Sequence, residues 1–460
     1  VVPDIDRIHA AQARAMRESG PLSFEQRLRG LRAIEEALLR RRDEIRAACW
    51  EDLRKPAEEV DLSEIFAVIG ETRHARRHLK RWMKPRRVSG RLALVPSSSR
   101  IVYEPKGIVL IIAPWNFPVN LSLGPLVSAI AAGNRAVVKP SEITPTVSRL
   151  IKSLLGDLFD ESEVAVVEGD ATASQALLAK RFDHIFFTGS SAVGREVMRA
   201  AANHLTSVTL ELGGKSPAIV DRTAQIGDAA SRIAWGKLLN SGQTCIAPDY
   251  LLVDEAVAEP FTRRLIEEIE HLTGQSTGVM VTEAHAARVR RLLESATDAG
   301  ARIVYRGKTT DSQRTVPVTL VSDVPPDSPL MQEEIFGPVL PMLTYRYLGD
   351  ALKVVNEREK PLVLYVFTRS RDVRDEVLNR TSAGGTVINH TLIHFYQLSL
   401  PFGGVGMSGS GKAHGFAGFE AFSNARAVLD QRIRLTSTLL LFPPYTAFKR
   451  KVIDLVLKYL

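Results

Sequence analysis

The chain is expected to be an α/β protein with two doubly wound α/β lobes, and three observations carry this reading. The first ~85 residues are helical in pattern, with apolar residues three and four apart in stretches such as Phe24 to Trp50. From Gly107 the pattern becomes short apolar runs alternating with helical stretches, and after Glu211 a second alternation of the same kind begins. At 460 residues the chain exceeds what one ordinary core serves, so two or three domains are expected. Hydrophobic residues at 45% and charged residues at 24% describe a folded globular chain, not a fibrous or disordered one.

Taken in order, the first alternation predicts strands at Ile108 to Ala113, Arg135 to Lys139, Val164 to Glu168 and His184 to Thr188. Helices are predicted between them at Leu121 to Ala132, Thr146 to Phe159 and Thr172 to Lys180, with another following at Ala192 to Asn203. The second alternation predicts strands at Ala218 to Asp221, Tyr250 to Val253, Leu340 to Tyr345, Leu362 to Thr368 and Thr386 to Asn389. Its helices fall at Ile226 to Leu239, Pro260 to Leu272, Glu283 to Ala299, Leu348 to Asn356 and Val373 to Thr381. Two such lobes meeting near Glu211 leave a cleft, and ligands bind at domain clefts and at the carboxyl ends of parallel strands.

The net charge of +8 is mild over this length. The basic run Arg73 to Arg87 reads as a solvated helix face followed by a loop marked by Pro85, and no nucleic-acid motif accompanies it. Nucleic acid is therefore not an expected partner. Two cysteines, Cys49 and Cys245, make no disulfide framework, and no spacing suggests a metal site. A reducing compartment, the cytoplasm, fits best. The N-terminal stretch has no apolar signal core, and the longest apolar runs, such as Ile108 to Trp115 and Leu439 to Phe442, are far shorter than the ~18 residues of a membrane span.

Chemistry centres on Cys245, in Ser241-Gly242-Gln243-Thr244-Cys245, and on Glu211, in Leu210-Glu211-Leu212-Gly213-Gly214-Lys215. A thiolate attacks carbonyls, and a carboxylate draws a proton from water that releases the product. Neighbouring glycines let backbone amides approach an oxyanion. An isolated cysteine is more often a small buried hydrophobe, so Cys245 alone decides nothing. Gly189 to Gly194 follows an apolar run and opens a helical one, the order in which amides face phosphate oxygens, although its G-x-x-x-x-G spacing also suits a plain βα turn. Two further motifs mislead. Gly406 to Lys412 mimics a nucleoside-triphosphate loop but has Ala413 where the metal-ligating hydroxyl belongs, and Tyr445 with Lys449 mimics a dehydrogenase pair within a tail.

Together these segments resemble the aldehyde dehydrogenase superfamily, and within it the class 3 or fatty-aldehyde-type branch, from about Ala11 to the tail. The resemblance implies a Rossmann-like cofactor domain over 1–91 and 105–210, a catalytic domain over 211–395, and bridging or oligomerisation segments over 92–104 and 396–460. It casts Cys245 as nucleophile, Glu211 as general base and Asn116, in Pro114-Trp115-Asn116-Phe117-Pro118, as the oxyanion-hole amide. Its implied NAD or NADP contacts are Lys139 and Glu142 on the adenosine ribose, Gly189, Ser190 and Gly194 over the pyrophosphate, Glu334 with Phe336 at the nicotinamide end, and Trp115. Leu400 to Gly404 matches a structural loop near the site.

The resemblance implies oxidation of an aldehyde to its acid through a thiohemiacetal and a thioester on Cys245, the thioester hydrolysed by water activated by Glu211. Apolar aliphatic or aromatic aldehydes are the implied substrates, and a homodimer the implied assembly. A CoA-acylating enzyme of the same fold is the nearest rival, disfavoured by Glu211, and a non-catalytic scaffold is the rival from another class. A free thiol has a pKa of ~8.5, and no Lys, Arg or His adjoins Cys245 to lower it. The sequence departs from the branch at the short loop 274–278, at Val281 to His285, and at His390, where an acidic residue is common. His390 and His394 are read as loop anchors, with contact to a polar substrate as the alternative. In the tail, Phe448, Val452, Ile453, Val456 and Leu457 share one helical face and basic residues the other, which suits a membrane surface, the substrate entrance or a partner subunit.

Overall fold

The computed structural model describes residues 4–89, 97–273, 279–308, 312–431 and 442–459. The short loop 274–278, most of the apolar run 439–442 and part of the segment 92–104 lie outside the described residues.

Strands β1 (Arg86–Val88), β2 (Ser97–Pro105), β3 (Ile108–Ile112), β4 (Arg135–Lys139), β5 (Val164–Val166), β6 (His184–Gly189), β7 (Ser207–Leu212) and β8 (Pro217–Val220) come from the first half of the chain. The second half adds β9 (Tyr250–Asp254), β10 (Arg302–Arg306), β11 (Thr319–Ser322), β12 (Val339–Tyr345), β13 (Val363–Phe367), β14 (Gly385–Ile388), β15 (Gly409–Ser410) and β16 (Ser423–Gln431). They form three sheets, ordered β15-β7-β6-β3-β4-β5, β10-β11-β12-β9-β8-β13-β14 and β1-β2-β16. The two large sheets are parallel except at β15 and β10, and the small sheet is antiparallel throughout.

Alternation explains why both faces of the large sheets are covered. In β3, Val109 and Ile111 enter one core while Ile108, Leu110 and Ile112 enter another, which is the period-two signature of a strand buried on both sides. The first core is roofed by Phe24–Arg40, Ala67–Trp82 and Pro118–Ala132, the second by Ile5–Ser19 and Ser191–Ala202. In the other sheet, Ala218 and Val220 of β8 face one core and Ile219 the opposite one. Each such fully buried side chain stabilises by about 1.5–3 kcal/mol.

The helical reading of Phe24 to Trp50 resolves into Phe24–Arg40 and Arg42–Leu53, broken at Arg41. Ser23 starts the former with a capping box, accepting from the Gln26 N–H at 3.2 Å while its own N–H donates to the Gln26 side chain at 2.8 Å. The helices at Ile226–Leu238, Glu283–Asp298 and Leu348–Asn356 match their expected positions closely. Strand β7 was not expected: Ser207, Thr209 and Glu211 make its pattern polar, although Thr209 and Glu211 are buried by tertiary neighbours. The expected division at 210/211 falls inside it.

A π-helical turn, Asp61–Phe66, sits just before the long helix Ala67–Trp82. Its extra residue per turn sends Ser63, Glu64 and Ile65 inward and leaves Leu62 and Phe66 exposed. Such bulges concentrate at functional sites.

Candidate active site

Four strands of the first sheet deliver site residues at or just beyond their carboxyl ends. β3 leads into Trp115 and Asn116, β4 ends at Lys139, β6 ends at Gly189, and β7 carries Glu211. This edge is where parallel sheets place ligands. Cys245 arrives from the other lobe, in a turn between the helix Ile226–Leu238 and β9.

The Cys245 loop is held by strain and by hydrogen bonds. Asn240 and Ser241 have φ of 51° and 55°, a left-handed backbone that few non-glycine residues adopt, and Gly242 follows at 75°. A side chain on Gly242 would meet the Gly337 carbonyl at 2.4 Å, so the close approach of these two loops requires glycine. The Asn240 amide donates to the Asn116 carbonyl at 2.8 Å and to the Gln243 carbonyl at 3.2 Å. Gln243 is tied in turn, donating to the Asn240 and Val279 carbonyls and accepting from the Val281 N–H.

Asn116 meets this loop directly. Its side-chain amide donates to the Gln243 carbonyl at 3.1 Å, two residues before Cys245. Its own carbonyl accepts from the Lys55 ammonium at 3.0 Å, and Lys55 pairs with Glu64 at 2.7 Å, both side chains fully buried. Glu64, supplied by the π-helical turn, also accepts from the Val119 and Asn120 N–H groups at 3.1 and 2.9 Å. Sequence reasoning missed Lys55 and Glu64, because a Lys and a Glu nine residues apart look like ordinary surface charges until the turn folds them inward.

Cys245 borders two cavities. One, of about 40 Å³, is almost wholly apolar and includes Phe117, Leu239, Ile246, Leu392, Phe395 and Tyr396 in its wall. An open pocket of about 530 Å³ shares Leu239, Ser63 and Tyr396 with it and reaches exposed Leu62 and Phe66. The other cavity, of about 50 Å³, has Glu211, Thr188, Glu71 and His414 among its walls. Glu211 is buried and neither carboxylate oxygen has a protein partner; burial lifts its pKa well above the carboxylate range, opposed by Lys412. Lys412, the lysine of the misleading triphosphate-like motif, donates to the carbonyls of Gly384, Gly403 and Gly404 instead. Gly403 lies against Glu211, since a Cβ there would come 2.8 Å from its Oε1.

Burial, with Glu334 and Glu211 nearby, pushes the Cys245 thiol up to about 12, and the N–H groups of Cys245 and Ile246 oppose this. The second cysteine, Cys49, is fully buried within the first lobe's core.

The remaining predicted residues sit at or after the ends of β4 and β6 and in the loops that carry Trp115 and Glu334. Lys139 is buried and its ammonium meets Glu142 at 2.6 Å. Ser190 caps the helix Ser191–Ala202, whose first N–H groups and dipole favour an anion. Gly194 acts differently from Gly189: it lies one turn into that helix, where a Cβ would strike Leu212 at 2.7 Å, so it brings helix and β7 together. Glu334 is pushed up to about 8 by burial and Asp249, and a Cβ on Gly213 would lie 2.0 Å from its carboxylate. Trp115 packs edge-on against Phe336 at 5.4 Å. A groove of about 720 Å³ has Ser191, Gly213, Gly214 and Glu334 on its walls.

His390 bonds the Thr391 backbone, as a loop anchor does, and His394 packs on Phe402 at 5.6 Å. Neither borders the cavities at Cys245. Among the described residues no cluster of His, Cys, Asp and Glu suits a metal ion, and no helix is long and apolar enough to cross a membrane.

The model of the aldehyde dehydrogenase family matches residues 2–428. The 4,4'-diaponeurosporen-aldehyde dehydrogenase of Staphylococcus aureus is 43% identical over 421 residues, covering 90% of this chain and 91% of that protein. Aldehyde dehydrogenase family 3 member A2 of Mus musculus is 39% identical, covering 94% and 89%. Among solved structures, the substrate-bound state of Staphylococcus aureus AldH superposes with a TM-score of 0.93 at 40% identity, covering 98% of this chain and 99% of that one.

Proposed function

This chain belongs to the aldehyde dehydrogenase family and is an NAD(P)-dependent oxidoreductase of aldehydes, and from that premise we propose how its site works. Cys245 is the nucleophile, Asn116 the oxyanion donor and Glu211 the base. One observation carries this reading: Cys245 and Glu211 share the wall of a single buried cavity, and the Asn116 amide is fixed beside the same loop.

The Cys245 sulfur bonds to the aldehyde carbon, and the carbonyl oxygen becomes an oxyanion held by the Asn116 amide and the Cys245 N–H. An oxidised nicotinamide dinucleotide, when bound, would supply the hydride acceptor and a positive charge against the effect of Glu334 and Glu211 on the thiol. Glu211 then takes a proton from water as the water oxygen bonds to the thioester carbon. The C–S bond breaks, and the carboxylic acid leaves a thiolate behind.

The residues suit that cofactor. Lys139 and Glu142 hold the adenosine ribose, the turn Gly189-Ser190 presents helix N–H groups to the pyrophosphate, with Gly194 keeping the helix close, and Glu334, Phe336 and Trp115 receive the nicotinamide end. The glycine at 213, which leaves Glu334 room, supports this assignment.

The apolar cavity and the pocket outside it suit an aliphatic or aromatic aldehyde. The domain division over 1–91 with 105–210, 211–395, and 92–104 with 396–460 belongs to the same reading and is supported by the three-sheet arrangement. A homodimer through β16, the end strand of the small sheet among the described residues, and contact of the exposed helix Ala447–Tyr459 with a membrane surface in the cytoplasm, complete it.

Intact-protein mass spectrometry of Glu211→Gln, incubated with aldehyde and NAD(P)+, tests the assignment. The expected result is an acyl adduct on the Cys245 peptide, with acid and not acyl-CoA as the wild-type product. No adduct, or an adduct elsewhere, refutes it.

A further inference from the structure

The cavity that Cys245 shares with Glu211 holds more chemistry than the base alone requires. Both oxygens of Glu211, the Thr188 hydroxyl, one oxygen of Glu71 and Nδ1 of His414 are buried there without a protein partner. Buried polar groups are paired in folded proteins, so a cluster of five unpaired atoms around one space calls for a shared ligand. The space is about 50 Å³, room for on the order of three waters.

Glu71 comes from the helix Ala67–Trp82 and His414 from the turn before Gly415–Ala421, so two elements remote in sequence from Glu211 send titratable groups to its cavity. Glu71 accepts from the Gly415 N–H at 3.2 Å, and its other oxygen lies 3.8 Å from His414 Nδ1. No cation neutralises this carboxyl: burial pushes it up to about 7, and burial with His394 pushes His414 down to about 3, so the pair is not an ion pair. The His414 ring is fixed between Phe395 and Phe402, at 4.5 and 4.9 Å.

Other charged groups near these elements are accounted for. Lys55 pairs with Glu64, Arg73 and Arg76 pair with Glu35, Glu420 accepts from Tyr103, and Lys412 acts on Glu211. The helix Pro118–Ala132 offers only the uncharged Asn120 and Ser128 to the cavity. His74, partly exposed, lies one turn beyond Glu71 and close to Gly415, a step toward solvent.

We propose that Glu71, with the neutral His414 ring beside it, receives through water held in this cavity the proton that Glu211 takes up during hydrolysis, and so acts as its relay. This rests on the reading of Glu211 as base. Each turnover leaves one proton on Glu211, taken from the attacking water; it passes along the cavity water to the Glu71 carboxylate and out past His74, returning Glu211 to its carboxylate form. No bond other than O–H and N–H bonds changes. Relay and substrate thus use different cavities, and the proton need not wait for the acid to leave.

The test follows two observables: the burst of reduced nicotinamide, which reports attack and hydride loss, and the decay of the acyl-enzyme by quenched mass spectrometry. Glu71→Gln keeps burst amplitude and rate, slows acyl-enzyme decay roughly tenfold, and loses the rise in decay rate near pH 7; Glu71→Asp restores part of both. An unchanged decay rate and pH profile overturns the relay, and so does equal slowing of burst and decay, which marks a structural role. If Glu71→Gln does not fold, a proton inventory of wild-type decay in mixed light and heavy water decides: curvature supports several protons in flight, and a straight line overturns the relay. A Glu211→Gln enzyme that carries no acyl group on Cys245 after the quench strikes the reading of Cys245 and Glu211 instead.

Discussion

The two cavities that meet at Cys245 are close in size, about 40 and 50 Å³, and differ in the polar groups that their largely apolar walls carry. One is walled by Phe117, Leu239, Ile246, Leu392, Phe395 and Tyr396 and leads toward an apolar opening. The other adds to its apolar walls the carboxyls of Glu71 and Glu211, the His414 imidazole and the hydroxyls of Thr188 and Ser128. A single sulfur bordering both spaces teaches how a thioester can form beside apolar walls and still meet the base that activates water. The unpaired carboxyls border only one of the two, which matters because an unpaired carboxylate is costly in an apolar space.

The sharpest way to break the comparison is to remove the sulfur. Cys245→Ala loses aldehyde oxidation by at least ~10³-fold while retaining cofactor binding, whereas Cys49→Ala, deep in the first lobe's core, keeps the activity of whatever folded fraction survives. Absorbance of the reduced nicotinamide and a cofactor titration check both. Comparable activity in the two variants would end the distinction between the sites.

On the donor side, Asn116→Ala lowers kcat/KM by roughly 10²–10³-fold, the ordinary loss for one oxyanion donor. Stopped-flow kinetics should place that loss in the burst. The polar side carries a pH signature as well. Glu211 must be a carboxylate to accept a proton, and burial raises its pKa, so acyl-enzyme decay falls as pH drops through that raised value, above the usual carboxylate range.

The smallest effect sharpens the apolar side. Each methylene that an n-alkanal adds within the apolar cavity and its outer pocket contributes about 0.8 kcal/mol, or roughly fourfold in kcat/KM, until the chain reaches solvent. Tyr396→Ala should flatten that series without altering acyl-enzyme decay. A chain-length series with both proteins measures it.

Strands β3, β4 and β9 were readable from the chain because their central apolar residues are buried on both faces. Strand β7 was not, since Thr209 and Glu211 are polar and become buried only through the sheet. Cys245, Glu211 and Asn116 stood out by the motifs around them. Lys55, Glu64, Glu71 and His414 carry no local motif, and each gains its meaning from a neighbour that the chain brings back from far away.

What the sequence alone determined was therefore the alternation of strands and helices, and the identity of a thiol, a carboxylate and an amide in glycine-rich settings. These depend on local periodicity and residue chemistry, which a linear string records. The tertiary structure alone decided which carboxyls lose their water, which lysine meets which glutamate, and that one sulfur borders two unlike spaces. Burial and pairing are properties of segments meeting in space, and their free energies do not exist until the fold removes the solvent between them.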